Sequence, residues 1–164
     1  MTRFELALYQ PDIPQNVGAA MRLCACLGVR LHVIEPCGFP WNWQKIKRAA
    51  LDYAEHAAVA KHESWSKFES WAAGEQKRIM LLSRFGATRY TACRFTEDDI
   101  LLLGRESAGV PQDVMARADM TLRIPMMPGC RSLNVINAGA VVLGEALRQI
   151  GFPAVQETSQ TGLQ

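Results

Sequence analysis

Two segments far apart in the chain, Gly104-Arg-Glu-Ser-Ala-Gly-Val-Pro111 and Ile124-Pro-Met-Met-Pro-Gly-Cys-Arg-Ser-Leu-Asn134, set small and turn-forming residues beside ionic ones. Each leaves an apolar run, Ile100 to Leu103 in the first case and Met120 to Ile124 in the second. Turns at the carboxyl ends of strands present backbone amides and carbonyls, and in open α/β sheets ligands bind at that edge. Leu82, Gly104 and Ile124 each close a predicted strand, so their turns suit a flat, neutral, hydrogen-bonding ligand such as an adenine nucleoside. Simple strand termination explains the same pattern, and on these residues alone it is the more economical reading.

Several other chemistries are excluded. There is no Gly-x-x-x-x-Gly-Lys-Ser/Thr loop and no Gly-x-Gly-x-x-Gly after the first strand, which disfavours a nucleoside triphosphate or a dinucleotide. No serine sits in a Gly-x-Ser-x-Gly turn, and Ser107 and Ser132 lack an evident histidine partner. A small-molecule α/β enzyme would need a nucleophile or an acid–base pair that the sequence does not offer. Cys24-Ala-Cys26 falls inside a helical pattern, and His32, His56 and His62 have no ligand-pair spacing with it, so no metal is expected.

The elements that must position the two segments follow from periodicity. Phe4 to Tyr9 reads as a strand, Pro14 to Gly28 as a helix with proline at its start and glycine at its end, and Leu31 to Ile34 as a parallel neighbour of the first strand. Lys45 to Tyr53 reads as a helix, Ala57 to Ala60 as a short strand, Ser64 to Ala73 as a helix opened by Ser64, and Ile79 to Leu82 as a strand. Strand Ile100 to Leu103, short helix Pro111 to Arg117, last strand Leu122 to Ile124 and closing helix Asn134 to Ile150 complete the alternation. This order predicts an α/β fold, a mostly parallel sheet with helices on both faces. The closing helix is apolar or small around most of its circumference, and Gly139, Ala140 and Gly144 would admit a close backbone from the same chain or from a second subunit.

The 164 residues, 49% hydrophobic and 21% charged, fit one domain over 1–153, with a polar, aperiodic tail over 154–164. Five cysteines in an odd set without framework spacing, and a start without a charged-then-apolar leader, predict a reduced, cytoplasmic protein. No apolar run reaches membrane-span length, so no membrane partner is expected. The net charge is only +2, so any RNA contact must be local. Lys45, Lys47 and Arg48 form one candidate cluster, Lys77 and Arg78 another, and Arg84, Arg89 and Arg94 a looser third; each also reads as a solvated face.

Taken together, Ala7-Leu-Tyr-Gln-Pro-Asp-Ile-Pro-Gln-Asn-Val-Gly-Ala-Ala-Met-Arg-Leu-Cys-Ala-Cys-Leu-Gly28 and the two segments above closely resemble the three motifs of SPOUT-superfamily RNA ribose 2′-O-methyltransferases. His32 to Trp41 and Lys47 to Tyr53 resemble the minimal, extension-free TrmL-like subfamily, which acts on the wobble cytidine or uridine of tRNA, so the similarity spans about residues 4–153. The resemblance implies a C-terminal deep trefoil knot, S-adenosylmethionine as methyl donor held in the knot's turns, a homodimer packed on the closing helix, and tRNA as partner. By position it assigns methyl-donor contacts to Leu82, Gly104, Ile124, Ser132 and Leu133, and places Arg22, Asn16, Glu106 and Asn134 around the reaction. Within that assignment Glu106 would orient Arg22, Asn134 would also cap the closing helix, and Arg22, Lys45, Lys47, Arg48 and Arg131 would meet RNA. Cys130 departs from the pattern and is assigned to packing. The same chemistry on another tRNA or ribosomal ribose, or a knotted RNA-binding protein without activity, are the alternatives.

Overall fold

The computed structural model describes residues 3–50, 53 and 55–153, with the side chains of Lys45, Lys47 and Ala49 left aside. The expected tail, 154–164, lies outside the described residues. Strands β1 (Glu5–Tyr9), β2 (Arg30–Ile34), β3 (Val59–His62), β4 (Arg78–Leu82), β5 (Thr88–Arg89), β6 (Asp99–Leu103) and β7 (Met120–Arg123) form one sheet in the order β3-β2-β1-β6-β4-β7-β5. Every pairing is parallel.

A parallel sheet must be buried on both faces, and the alternation of side chains along each strand divides the core accordingly. Leu6 and Leu8 of β1 and Leu101 and Leu103 of β6 pack with Val17, Met21, Val142, Leu143 and Leu147. Those partners come from α1 (Pro14–Leu27) and α5 (Val135–Ile150), and Ile46 of α2 (Trp43–Ala50) joins the same layer. Ala7, Tyr9, Leu81, Ile100 and Leu102 point the other way, onto Phe68 and Ala72 of α3 (Trp65–Gly74) and Val114 of α4 (Gln112–Met115). The expected α/β sheet with helices on both faces is therefore present.

Local signals account for most boundaries. At the end of α1, Val29 N–H donates to the Cys24 carbonyl at 2.9 Å and Gly28 N–H to that of Ala25 at 3.4 Å, with Gly28 at φ 64°. This paired closure favours glycine at the left-handed position. Ser64 caps α3 by accepting from Lys67 N–H at 3.3 Å. Gly139 was open to a neighbour from either the same chain or a second one; a Cβ there would meet Leu103 Cδ1 at 2.7 Å, so this glycine seats α5 on β6.

Four elements differ from the periodicity by two residues or more at one end or both, and the first is α2, which starts at Trp43 rather than Lys45. Strand β3 starts at Val59 rather than Ala57, α4 is shorter than Pro111–Arg117, and β7 runs over Met120–Arg123 rather than Leu122–Ile124. Strand β5 carries too few residues for any pattern. Its pairing with β7 is anchored from β7 itself, by Arg123, whose guanidinium donates to the Gly86 carbonyl at 2.7 Å and also to that of Ala87.

Beneath β1 to β3 lies a buried ionic row. His32 Nδ1 is 2.8 Å from His62 Nε2, His32 Nε2 is 3.5 Å from Glu5 Oε2, and Lys77 Nζ is 3.4 Å from the same oxygen. The Trp71 ring lies over His32 at 4.3 Å. Burial, and then the neighbouring His32, push the His62 imidazole below its usual range, against a smaller opposing pull from Glu5. For Glu5, burial raises the carboxyl, but the hydrogen bond and charge of His32 and the charge of Lys77 together bring it below its usual value. Both shifts act in one direction. The unfolded chain takes up a proton at His62 before the folded one does, so stability falls as pH drops below about 6.5, and Glu5 adds a further loss below about 4.3. The thermal midpoint is expected to fall between pH 7 and pH 5, and His62→Gln should flatten that part of the curve while leaving the loss below pH 4.5. An unchanged slope in the variant would remove His62 from this account.

Candidate active site and cofactor pocket

The carboxyl ends of β6, β4 and β7 lie side by side, because those strands are consecutive in the sheet. The loops that leave them enclose a cavity of about 680 Å³, within the usual range for a small-molecule or cofactor site. Leu82, Gly104, Ile124, Ser132 and Leu133 all line it, as do Asn16, Glu106 and Asn134. Residues that the resemblance assigned from four separate segments thus share one cavity.

The loop after β6 is folded tightly back on itself. Arg105 N–H donates to the Gly109 carbonyl at 2.8 Å and Gly109 N–H returns to that of Arg105 at 2.9 Å. A Cβ on Gly104 would sit 2.7 Å from the Gly109 carbonyl carbon, so a side chain there would force this loop open. Arg105 also lies over the Tyr9 ring at 5.8 Å and donates to Gln10 Oε1, which fixes the loop against the end of β1.

A single hydrogen-bonded chain joins the loops after β1, β6 and β7 by way of Asn16 in α1. Asn134 Oδ1 accepts from Ile136 N–H at 2.9 Å and Asn137 N–H at 3.2 Å, capping α5. Its Nδ2 donates to Asn16 Oδ1 at 3.1 Å, and Asn16 Nδ2 donates to Glu106 Oε1 at 2.7 Å. Glu106 Oε2 accepts from Asp12 N–H at 2.8 Å. Asp12 Oδ2 then accepts from Ser107 N–H at 3.1 Å and Ser107 Oγ at 2.5 Å. The Ser107 hydroxyl, above all, holds the Asp12 carboxyl below its ordinary value. Both amide orientations are dictated from the ends, because the helix N–H groups only donate and the Glu106 carboxylate only accepts. Asn134 is thus both a helix cap and a wall of the cavity.

Other expected site residues lie elsewhere. Glu106 was expected to orient Arg22, but its oxygens engage Asn16 and Asp12 instead. Arg22 is exposed on α1 with its guanidinium 5.0 Å over the Tyr53 ring. Six residues separate it from Asn16, which at about 100° and 1.5 Å per residue turns it roughly 120° away and about 9 Å along the axis. Arg48 is exposed on α2, and Arg131 is exposed on the loop before α5. The Lys45 and Lys47 side chains lie outside the described residues. Cys130, expected to pack, is exposed. Among the described residues, no group of three or more His, Cys, Asp or Glu could hold a metal ion.

Asp12, Arg105 and Phe85 were not read from the sequence as site residues. Asp12 sits in a plain pre-helix turn, and its partner Ser107 is 95 positions away, so only folding makes the pair visible. The Asn16–Glu106 link yields a sharp test. Asn16→Asp keeps the shape but replaces a donor with a second carboxylate, so urea unfolding at pH 7 should show a loss of about 2 to 4 kcal/mol. Relative to the parent protein, much of that loss should be recovered at pH 5, where one of the two adjacent carboxyls keeps its proton. A pH-independent loss would argue against the direct contact.

Comparison with known proteins gives this cavity a context. The SpoU rRNA Methylase family matches residues 3–144. A tRNA (cytidine(34)-2'-O)-methyltransferase of Beijerinckia indica is 53% identical over 146 residues, spanning 89% of this chain and 91% of the relative. One of the same description from Escherichia coli is 41% identical, spanning 90% of this chain and 94% of its own length. A solved structure concerned with 2-OH methylation of C/U34 on tRNA superposes with a TM-score of 0.84 at 43% identity, covering 89% of this chain and 95% of that one. The SpoU methyltransferase AviRb from Streptomyces viridochromogenes, in complex with the cofactor AdoMet, superposes with a TM-score of 0.80 at 26% identity over 91% of this chain and 61% of its own. With the sequence matched across most of its length and the fold shared, this chain belongs to the SpoU rRNA methylase family.

Proposed function

We propose that this protein is an S-adenosylmethionine-dependent tRNA 2′-O-methyltransferase that modifies the ribose of the wobble cytidine or uridine in the anticodon loop. The observation that carries the reading is the cavity at three adjacent strand ends, in a chain 53% identical over 146 residues to a tRNA (cytidine(34)-2'-O)-methyltransferase.

The residues fit the methyl donor. Backbone groups at Leu82, Ile124 and Leu133 suit an adenine edge, Gly104 leaves room beside a tight turn, and the Ser132 hydroxyl suits a polar group of the cofactor. When bound, S-adenosylmethionine supplies an electrophilic sulfonium methyl. The protein's own task is to bring a ribose 2′-hydroxyl into line and let its proton leave to a phosphate or to water. Asn16 and Asn134 hold the reacting side of the cavity in shape through Glu106, whose carboxylate is already engaged at both oxygens and serves to position rather than to take the proton.

Arg22 is proposed as a cation for an RNA phosphate or the developing alkoxide, with its guanidinium staying protonated. Lys45, Lys47, Arg48 and Arg131 are proposed as further RNA contacts. A homodimer pools these cations, and each phosphate neutralised adds salt-dependent affinity. Support for dimerisation comes from α5, where Val141 is 43% exposed and a Cβ on Gly144 would meet nothing within 4 Å. A tRNA substrate implies a cytoplasmic setting; no described helix is long and apolar enough to cross a membrane.

The decisive assay is transfer of labelled methyl to tRNA lacking wobble ribose methylation, with the product nucleotide mapped and the enzyme's mass measured by sedimentation. Label at the wobble 2′-hydroxyl and a two-chain mass are expected, with Arg22→Ala abolishing turnover while leaving cofactor affinity nearly intact. Label confined to ribosomal RNA would overturn the substrate assignment, and equal loss of cofactor binding would move Arg22 out of the reaction.

We also infer that the C-terminal part is threaded as a trefoil knot. Strand β6 lies between β1 and β4 although it follows both, and the turn after β4 presses on β7 so closely that a Cβ on Gly86 would lie 2.2 Å from the Leu122 carbonyl. Stretched from its two ends as a single molecule, the chain should stop short of its full contour length; full extension would rule the knot out.

A further inference from the structure

Among the described residues, five of the nine exposed large apolar side chains gather around one cavity: Ile13, Phe85, Met126 and Leu133 line it, and Met127 adjoins Met126, while Trp43, Tyr53, Val141 and Phe152 lie elsewhere. Phe85 is the one aromatic ring among these five; it is 74% exposed and belongs to neither hydrophobic core. Its fold-level neighbours do not need it. The turn that carries it is held by Ser83 N–H to the Leu122 carbonyl at 2.8 Å, Gly86 N–H to the Ser83 carbonyl at 3.0 Å, Phe85 N–H to Ser83 Oγ at 3.2 Å and Ala87 N–H to Thr121 Oγ1 at 3.0 Å. Arg123 closes the same turn from β7. A rigid turn therefore presents an aromatic ring to solvent at the mouth of the cavity. The Arg84 guanidinium lies 4.4 Å from the centre of that ring.

With the guanidinium over one face, the exposed remainder of the ring and the cation together form the pairing that single-stranded nucleic acid recognises, since every base has a face to stack and every nucleotide brings a phosphate. The position selects the same ligand. A ribose that is to react must come to this cavity, so the strand that carries it passes over the rim where Phe85 and Arg84 stand. We propose that Phe85 and Arg84 form a stacking platform for an unpaired base of the substrate RNA, at or next to the nucleotide that is methylated. This rests on the methyltransferase reading above and adds to it a site for the base, whereas the residues assigned so far handle the cofactor, the ribose and the phosphates.

The test compares Phe85→Ala, Phe85→Leu and Phe85→Trp in steady-state methylation of tRNA, with S-adenosylmethionine affinity measured by calorimetry and mass by sedimentation. Alanine and leucine should raise KM for tRNA by roughly tenfold to a hundredfold, with kcat at saturating tRNA and cofactor affinity within twofold of the parent and the dimer mass unchanged. Tryptophan should keep KM near the parent value, since stacking needs a π face and leucine offers only bulk. If leucine works as well as phenylalanine, the ring is mere apolar cover and the platform is refuted. Loss of cofactor affinity would assign the ring to the adenine of the methyl donor, and loss of the dimer would assign it to the subunit interface; either overturns the proposal. Should the parent protein fail to methylate tRNA, the underlying functional reading fails; normal parental activity with an unchanged KM in Phe85→Ala defeats the platform alone.

Discussion

The hydrogen-bonded chain from the start of α5 through Asn134, Asn16 and Glu106 to Asp12 and Ser107 is the constraint on which the rest of the site depends. Loops have little core of their own, and three of them must hold a cavity open between them. Here the loops after β1, β6 and β7 are joined, with Asn16 of α1 between them, by side chains that can satisfy only one pattern of donors and acceptors, and the turn after β4 is tied to β7 instead. A partly satisfied network of this kind is costly in a low-dielectric setting, so the arrangement behaves as a unit. It is anchored in regular structure at the first turn of α5 and, midway, at Asn16 of α1, and rigidity propagates from helix to loop.

The sheet supplies what the loops cannot. Because β6, β4 and β7 are adjacent and parallel, their carboxyl ends lie at one level, and the loops leaving them converge without long excursions. Burial on both faces holds the strands in register: a one-residue slip would send Leu101 and Leu103 toward α3 and Ile100 and Leu102 toward α5. Close contacts then set how near the loops can come. Gly139 lets α5 settle on β6, and Gly86 lets the turn after β4 lie against β7. The chemistry at the cavity is consequently built from backbone geometry as much as from side chains, which suits a ligand such as an adenine nucleoside that is recognised by its edge.

The charge distribution matches a substrate that is held locally. The net charge of +2 gives little long-range attraction, and the cations are spread over α1, α2 and the loops. Apolar surface at the cavity rim complements them, because an RNA loop offers both phosphates and exposed bases. The buried row of Glu5, His32, His62 and Lys77 lies under β1 to β3, away from the cavity lining, and belongs to the stability of the sheet.

What the sequence by itself determined is local and periodic. Short apolar runs specified the strands and their two-sided burial, Pro14, Gly28, Ser64 and Asn134 marked helix ends, and the strand-end segments marked where a ligand would sit. Such signals survive because they arise from neighbours within a few residues. Strand β5 was invisible, since a two-residue strand has no period and its pairing depends on Arg123 reaching back across β7. The partners of Glu106 were misassigned for a related reason: Asn16 and Arg22 occupy one helix and one motif, yet helical geometry turns only Asn16 toward the cavity. Asp12 and Phe85 had no local mark at all. Asp12 takes its role from Ser107, 95 positions away, and Phe85 its exposure from a turn held against β7, contacts that exist only once distant segments are brought together, which is the part of the specification that tertiary structure alone decided.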